Sequence, residues 1–135
     1  MRARTEQFGI HIMIDGYNAP RQLLANRVYL WSLLEDLPKL IGMHSIAEPQ
    51  LVEVGELNPK DPGGLSGFVM IAESHISFHT FPARGFITMD LYTCQSGIDR
   101  DWVIDLLKTS FALKDADVFV QERGMRYPVE NLQAA

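Results

Sequence analysis

The stretch IAESHISFHTFPARGF, residues 71–86, decides how this chain is read. In an extended backbone, successive side chains point to opposite sides. His75, Ser77, His79 and Phe81 then share one face, while Ile76 and Phe78 take the other. Ser74 alternates away from both histidines. The apolar side suits a core. A side carrying two histidines and a serine is either solvated or lines a pocket.

Outward from this strand, alternation and turn residues predict more strands. Residues 86–93 lie beyond the PARG corner, 67–72 precede it, 46–54 come earlier, and FGIHIMID (8–15) opens the chain. GELNPKDPGG, residues 55–64, is turn-rich. Residues 21–41 predict one helix whose stripe is Leu24, Val28, Trp31 and Leu34, bent or ended by Pro38 and stopped at Gly42. A second helix starts near Asp99 with Val103, Leu106, Leu107 and Phe111 inward, and residues 116–121 form a last strand. The order β-α-β-β-β-α-β implies a single α+β domain over 1–135: a two-layer sandwich, a mainly antiparallel sheet with helices on one face. The uncovered sheet face needs a partner, and a homodimer is expected.

Composition narrows the classes. The chain has 135 residues, 47% hydrophobic and 21% charged, enough apolar material for one core. A net charge of −5 argues against sequence-independent nucleic-acid binding, which needs clustered cations. No early apolar stretch is long enough for a signal core or a membrane span. One cysteine, Cys94, allows no internal disulfide, so a cytoplasmic setting with no membrane or nucleic-acid partner is expected.

With ESHISFHTFP followed by MDLYTC and preceded by GGLSGFVMIAES, the chain resembles the small prokaryotic S-adenosylmethionine decarboxylases. GIHIMIDGYNAP and the C-terminal QERG extend the likeness more weakly. The resemblance implies self-cleavage between Glu73 and Ser74 into chains 1–73 and 74–135, with Ser74 converted to a pyruvoyl group. Such a group can form a Schiff base with a substrate amine and take up the electrons left when CO₂ departs, as pyridoxal phosphate does. No glycine-rich phosphate loop occurs here, and no metal is expected.

The resemblance assigns roles by position. Ser74 is the pyruvoyl precursor, His79 and Ser66 assist processing, and Cys94 is the general acid that protonates Cα. Phe81 and Asp15 match family positions that contact the small-molecule substrate, Asp15 standing where the family usually has glutamate. Beyond the resemblance, Glu73 and Tyr17 are further expected contacts. Each residue has a plainer reading. A strand serine is usually just a serine, Cys94 an inert small hydrophobe, and His75 a structural residue. Glu122 and Arg123, in the matching ERG, are a surface ion pair. Zinc at His75, His79 and Cys94 lacks the usual paired ligand spacing.

The sequence also departs from the family's pattern. The second aromatic that sandwiches adenine is absent between residues 52 and 65, and Ala83 replaces a glutamate that holds ribose hydroxyls. Each loss is worth about 1–3 kcal/mol of nucleoside binding. S-adenosylmethionine stays the first expectation, feeding spermidine synthesis, with ornithine or arginine as the alternative. An uncleaved, non-catalytic binding partner of an active homologue is the third reading.

Overall fold

The computed structural model describes residues 5–133. The elements are β1 (Thr5–Glu6), β2 (Gly9–Tyr17), α1 (Arg21–Leu24), α2 (Arg27–Leu40), β3 (Gln50–Val54), β4 (Gly64–Ile71) and β5 (Ser74–Phe81). After a single 3₁₀ turn come β6 (Phe86–Thr93), α3 (Arg100–Ser110), β7 (Asp115–Arg123) and β8 (Tyr127–Pro128). Six strands form one antiparallel sheet in the order β3-β4-β5-β6-β2-β7. The α+β two-layer expectation holds. β1 and β8 form a separate two-stranded sheet that their short length hid from the sequence reading.

Alternation builds the core. Ile10, Ile12 and Ile14 of β2, Ile76 and Phe78 of β5, and Ile87, Met89 and Leu91 of β6 are buried together. They meet Leu30, Leu34 and Leu37 of α2 and Val103 and Leu107 of α3. Phe78 packs edge-on against Phe111, with ring centroids 5.4 Å apart, which ties α3 to the sheet centre. Gly67 leaves room for the side chain of its cross-strand partner: a Cβ there would sit 2.6 Å from the Phe78 ring.

The first helix differs from its sequence expectation. Residues 21–41 break at Ala25–Asn26, and Asn26 caps α2 by accepting a hydrogen bond from the Tyr29 amide at 3.0 Å. The break resets the helical phase. Val28 becomes 81% exposed and Trp31 36% exposed, while Leu30, Leu33, Leu34 and Leu37 face inward. α1 stays attached through Leu24, whose carbonyl accepts from the buried Thr80 hydroxyl at 2.8 Å. Pro38 lies inside the last turn of α2, and Gly42, at φ 75°, ends it as expected. In α3, Val103 and Leu107 are buried and Leu106 is half-buried, close to expectation.

The face away from the helices is open. It carries His11, Met13, Asp15 and Tyr17 from β2, Ser66, Phe68 and Met70 from β4, and His75, Ser77, His79 and Phe81 from β5. Thr88, Asp90 and Tyr92 of β6 and Phe119 of β7 continue it.

Candidate active site

The Glu73–Ser74 peptide sits at the tip of the β4–β5 hairpin. Ile71 pairs with Ser74, which leaves Ala72 and Glu73 as the turn. Ser74 in turn pairs with Thr93, the last residue of β6. That register brings the Cys94 amide to the Glu73 carbonyl, and the N–H donates at 3.0 Å. Ser74 has φ 154°, a region that side-chain-bearing residues avoid and that costs roughly 1–3 kcal/mol. The backbone is thus strained at one particular bond, and its carbonyl is already hydrogen-bonded.

Cys94 is half-buried and lines a cavity of about 260 Å³ with Gly9, Gln95, Ser96 and Arg100. Gly9 allows this approach, since a Cβ there would lie 2.3 Å from the Thr93 carbonyl oxygen. Beside it, the Gln95 Oε1 is buried without a hydrogen-bond partner among the described residues.

Ser66 and His79 face each other on β4 and β5, with Ser66 Oγ 2.8 Å from His79 Nδ1. This pair is remote from Ser74 in the same chain. Five residues along a strand span about 16 Å, and the odd offset reverses the side-chain direction. The expected catalytic set therefore divides into a Ser74–Cys94 half at one end of the sheet and a Ser66–His79 half farther along. His75 and His79, four residues apart, are about 13 Å from each other, too far to share one zinc ion.

Phe81 reaches the far end of the open face. There it joins Phe86 (5.6 Å between centroids) and Tyr17 (5.5 Å from Phe86) in the wall of a cavity of about 620 Å³. Asn58, Lys60, Asp61 and Arg84 form its rim. The turn-rich loop thus supplies no aromatic, but Tyr17 and Phe86 do. Tyr17 donates to Asp117 Oδ2 at 3.1 Å. That bond, helped by desolvation and by Asp15 and Asp115 nearby, raises its phenol above the ordinary value. Asp15 lies next to Tyr17's position on the same face, opposite Asp117 across the strand pair.

Between the two ends runs a network the sequence did not reveal. His11 Nε2 lies 2.7 Å from Asp90 Oδ1. Tyr92 packs against His11 and His75, and Phe68 stacks on His75 at 5.6 Å. Burial foremost, then His11 and Arg123, lower the His75 pKa below 6.5, with Asp90 opposing. The Arg123 guanidinium lies 4.5 Å from the centre of the Tyr92 ring, and Glu122 pairs with Arg100 at 3.1 Å. The expected Glu122–Arg123 ion pair is therefore replaced by two separate contacts, because neighbours on a strand point to opposite sides. The signal for this network was alternation on strands far apart in sequence, which pairs residues only once register is known.

A two-layer α+β protein with serine, histidine and cysteine on and beside one open sheet matches a described family. A family model described as S-adenosylmethionine decarboxylase matches residues 10–124, and the chain belongs to that family of carboxy-lyases. An S-adenosylmethionine decarboxylase proenzyme of Pyrobaculum neutrophilum is 31% identical over 117 residues, covering 87% of this chain and 90% of that one. The proenzyme of Picrophilus torridus is 34% identical over 121 residues, covering 86% and 84%. Among solved structures, the adenosylmethionine decarboxylase of Aquifex aeolicus is similar with a TM-score of 0.72 and 28% identity, over 96% of this chain and 99% of that one.

Proposed function

We propose that this chain is a proenzyme that cuts itself between Glu73 and Ser74 and then decarboxylates S-adenosylmethionine for spermidine synthesis. One observation carries the first part: the Glu73 carbonyl accepts the Cys94 N–H at 3.0 Å while Ser74 is held at φ 154°. Ser74 Oγ adds to the Glu73 carbonyl carbon, the C–N bond breaks, and the nitrogen leaves as an amine, converting amide to ester. The Cys94 N–H steadies the negative oxygen during that addition. Loss of the Ser74 Cα proton expels the Glu73 carboxylate and leaves a dehydroalanine, which takes up water and releases ammonia. A terminal pyruvoyl group remains.

The residues present fit that group: Ser74, its precursor, stands at a strained hairpin tip and follows a carbonyl that is already hydrogen-bonded. Once formed, it supplies the electron sink for the carbanion left by CO₂. Cys94 is assigned to deliver the proton to Cα, and Ser66 with His79 to handle the proton lost during processing. Phe81, Tyr17 and Asp15 of one protomer and Glu73 of the other are assigned to the substrate, because within one chain the two groups lie at opposite ends of β5, about 23 Å apart. Three aromatic rings in one cavity favour a planar nucleoside over an aliphatic amino acid.

The separation of Ser66–His79 from Ser74 is the reason to propose a homodimer. The open face exposes Val52, Phe68, Met70 and Phe119, and a second copy packed on it with strands reversed would cover them. In that arrangement the Ser66–His79 pair of one protomer comes to the hairpin-tip end of its partner, where it serves the Glu73–Ser74 link past the end of β5 rather than through the sheet face.

Intact mass under denaturing conditions is the direct test. The expected result is two chains, residues 1–73 and 74–135, the second lacking a free amino terminus. A single 15.3 kDa chain in active protein would overturn the proposal. CO₂ release from S-adenosylmethionine, ornithine and arginine separates the substrates. Release from only the basic amino acids would leave a decarboxylase and remove the nucleoside reading.

A further inference from the structure

Glu73 is held from two sides. Its carbonyl meets the Cys94 amide, and its γ-carboxylate accepts the His44 N–H at 3.2 Å, with His44 Nδ1 at 3.4 Å from the other carboxylate oxygen. The segment that carries His44 is itself fastened to β4. Ala72 N–H donates to the His44 carbonyl at 2.7 Å, Ile46 N–H donates to the Met70 carbonyl at 3.1 Å, and Ser45 bridges to Ile71. Met43, only 3% exposed, anchors the segment in the core, and its N–H donates to the Pro38 carbonyl at 2.7 Å. Residues 43–46 are therefore a strap running beside the cleavage bond.

We infer that this strap is a clamp for self-cleavage, with His44 a positioning residue that fixes Glu73 so that Ser74 cannot relax from its strained backbone. The inference rests on the reading that the chain breaks between Glu73 and Ser74. Its physical basis is simple: a hairpin tip free at one end would rotate the Glu73–Ser74 peptide into an ordinary turn and lose the strain. With both ends of Glu73 tied, relaxation requires breaking a charge-assisted hydrogen bond. The same contact would retain Glu73 after cleavage, when it becomes a chain end. The His44 N–H lowers the Glu73 carboxyl below its ordinary 4.5, aided by the imidazole against opposing desolvation. His44 is the titratable group that faces it; the end of β6 meets Glu73 through the Cys94 backbone alone.

The test follows the first-order rate of chain cleavage after rapid refolding or cell-free synthesis, in wild type, Glu73→Ala, Glu73→Gln and His44→Ala. Glu73→Ala is expected to slow cleavage at least about tenfold, the rate equivalent of one charge-assisted hydrogen bond. Glu73→Gln keeps a neutral acceptor and recovers part of the rate. His44→Ala keeps the main-chain N–H and slows cleavage about threefold. Wild-type cleavage should fall in acid as the Glu73 carboxylate protonates, and Glu73→Gln should lack that limb. Wild-type rates and pH profiles in all three variants would overturn the clamp alone. Unchanged cleavage in Glu73→Ala, with only KM raised, would leave Glu73 its substrate role alone and overturn the clamp. A wild-type chain that never breaks would remove the cleavage reading, and the clamp with it.

Discussion

At position 94 a thiol and a backbone amide are assigned separate tasks, and substitution can part them. The amide meets the Glu73 carbonyl whatever the side chain is, whereas only the thiol can give a proton. Cys94→Ala should therefore still cleave, at least in part, while turnover per cleaved chain falls at least about a hundredfold. Equal turnover would remove Cys94 from proton delivery. His75 offers a second measurement at this scale. Its folded pKa is lowered, so the unfolded chain binds more protons just below pH 6.5, and stability must rise with pH there. The prediction is a loss of stability as pH falls from about 6.5 toward the lowered value, and His75→Gln should flatten that slope in denaturant titrations. An unchanged slope would contradict the burial of His75 between Phe68 and Tyr92.

Among the elements, most strands followed their sequence pattern, but β3 starts at Gln50 rather than 46, β4 starts at Gly64 rather than 67, and the first helix breaks in two. Residues 86–93 were bounded correctly because every second side chain of β6 is buried. The 21–41 segment has apolar residues on most sides, so several helical phases fit it equally well. The competing signal was Asn26, a residue that prefers to cap, and it won. Asn26→Ala should cost about 1 kcal/mol and lower Tm by a few degrees, with little effect on cleavage, because α2 lies on the far side of the sheet from His79. A variant as stable as wild type would mean that the break is set by packing of Leu24 and Leu30 alone.

For the molecule as a whole, the division of the site makes a sharp prediction. Chains carrying Ser74→Ala and chains carrying His79→Ala should each fail to process alone. Produced together, the His79→Ala chains should cleave, since their intact Ser74 meets a working His79 on the partner. No cleavage in the mixture, or full cleavage of His79→Ala by itself, would contradict completion across the dimer. A charged replacement of Phe119 on the open face should also shift sedimentation toward monomer and slow processing in parallel.

The sequence by itself determined the α+β class, the strand carrying ESHISFHTFP and the family, because alternation and motif spacing are local properties of the chain. Tertiary structure alone decided that His11 meets Asp90, that His44 holds Glu73, and that Tyr17 and Phe86 join Phe81. Each of those contacts joins residues on separate elements, and strand register, set by the packing of the whole core, chooses which side chains meet.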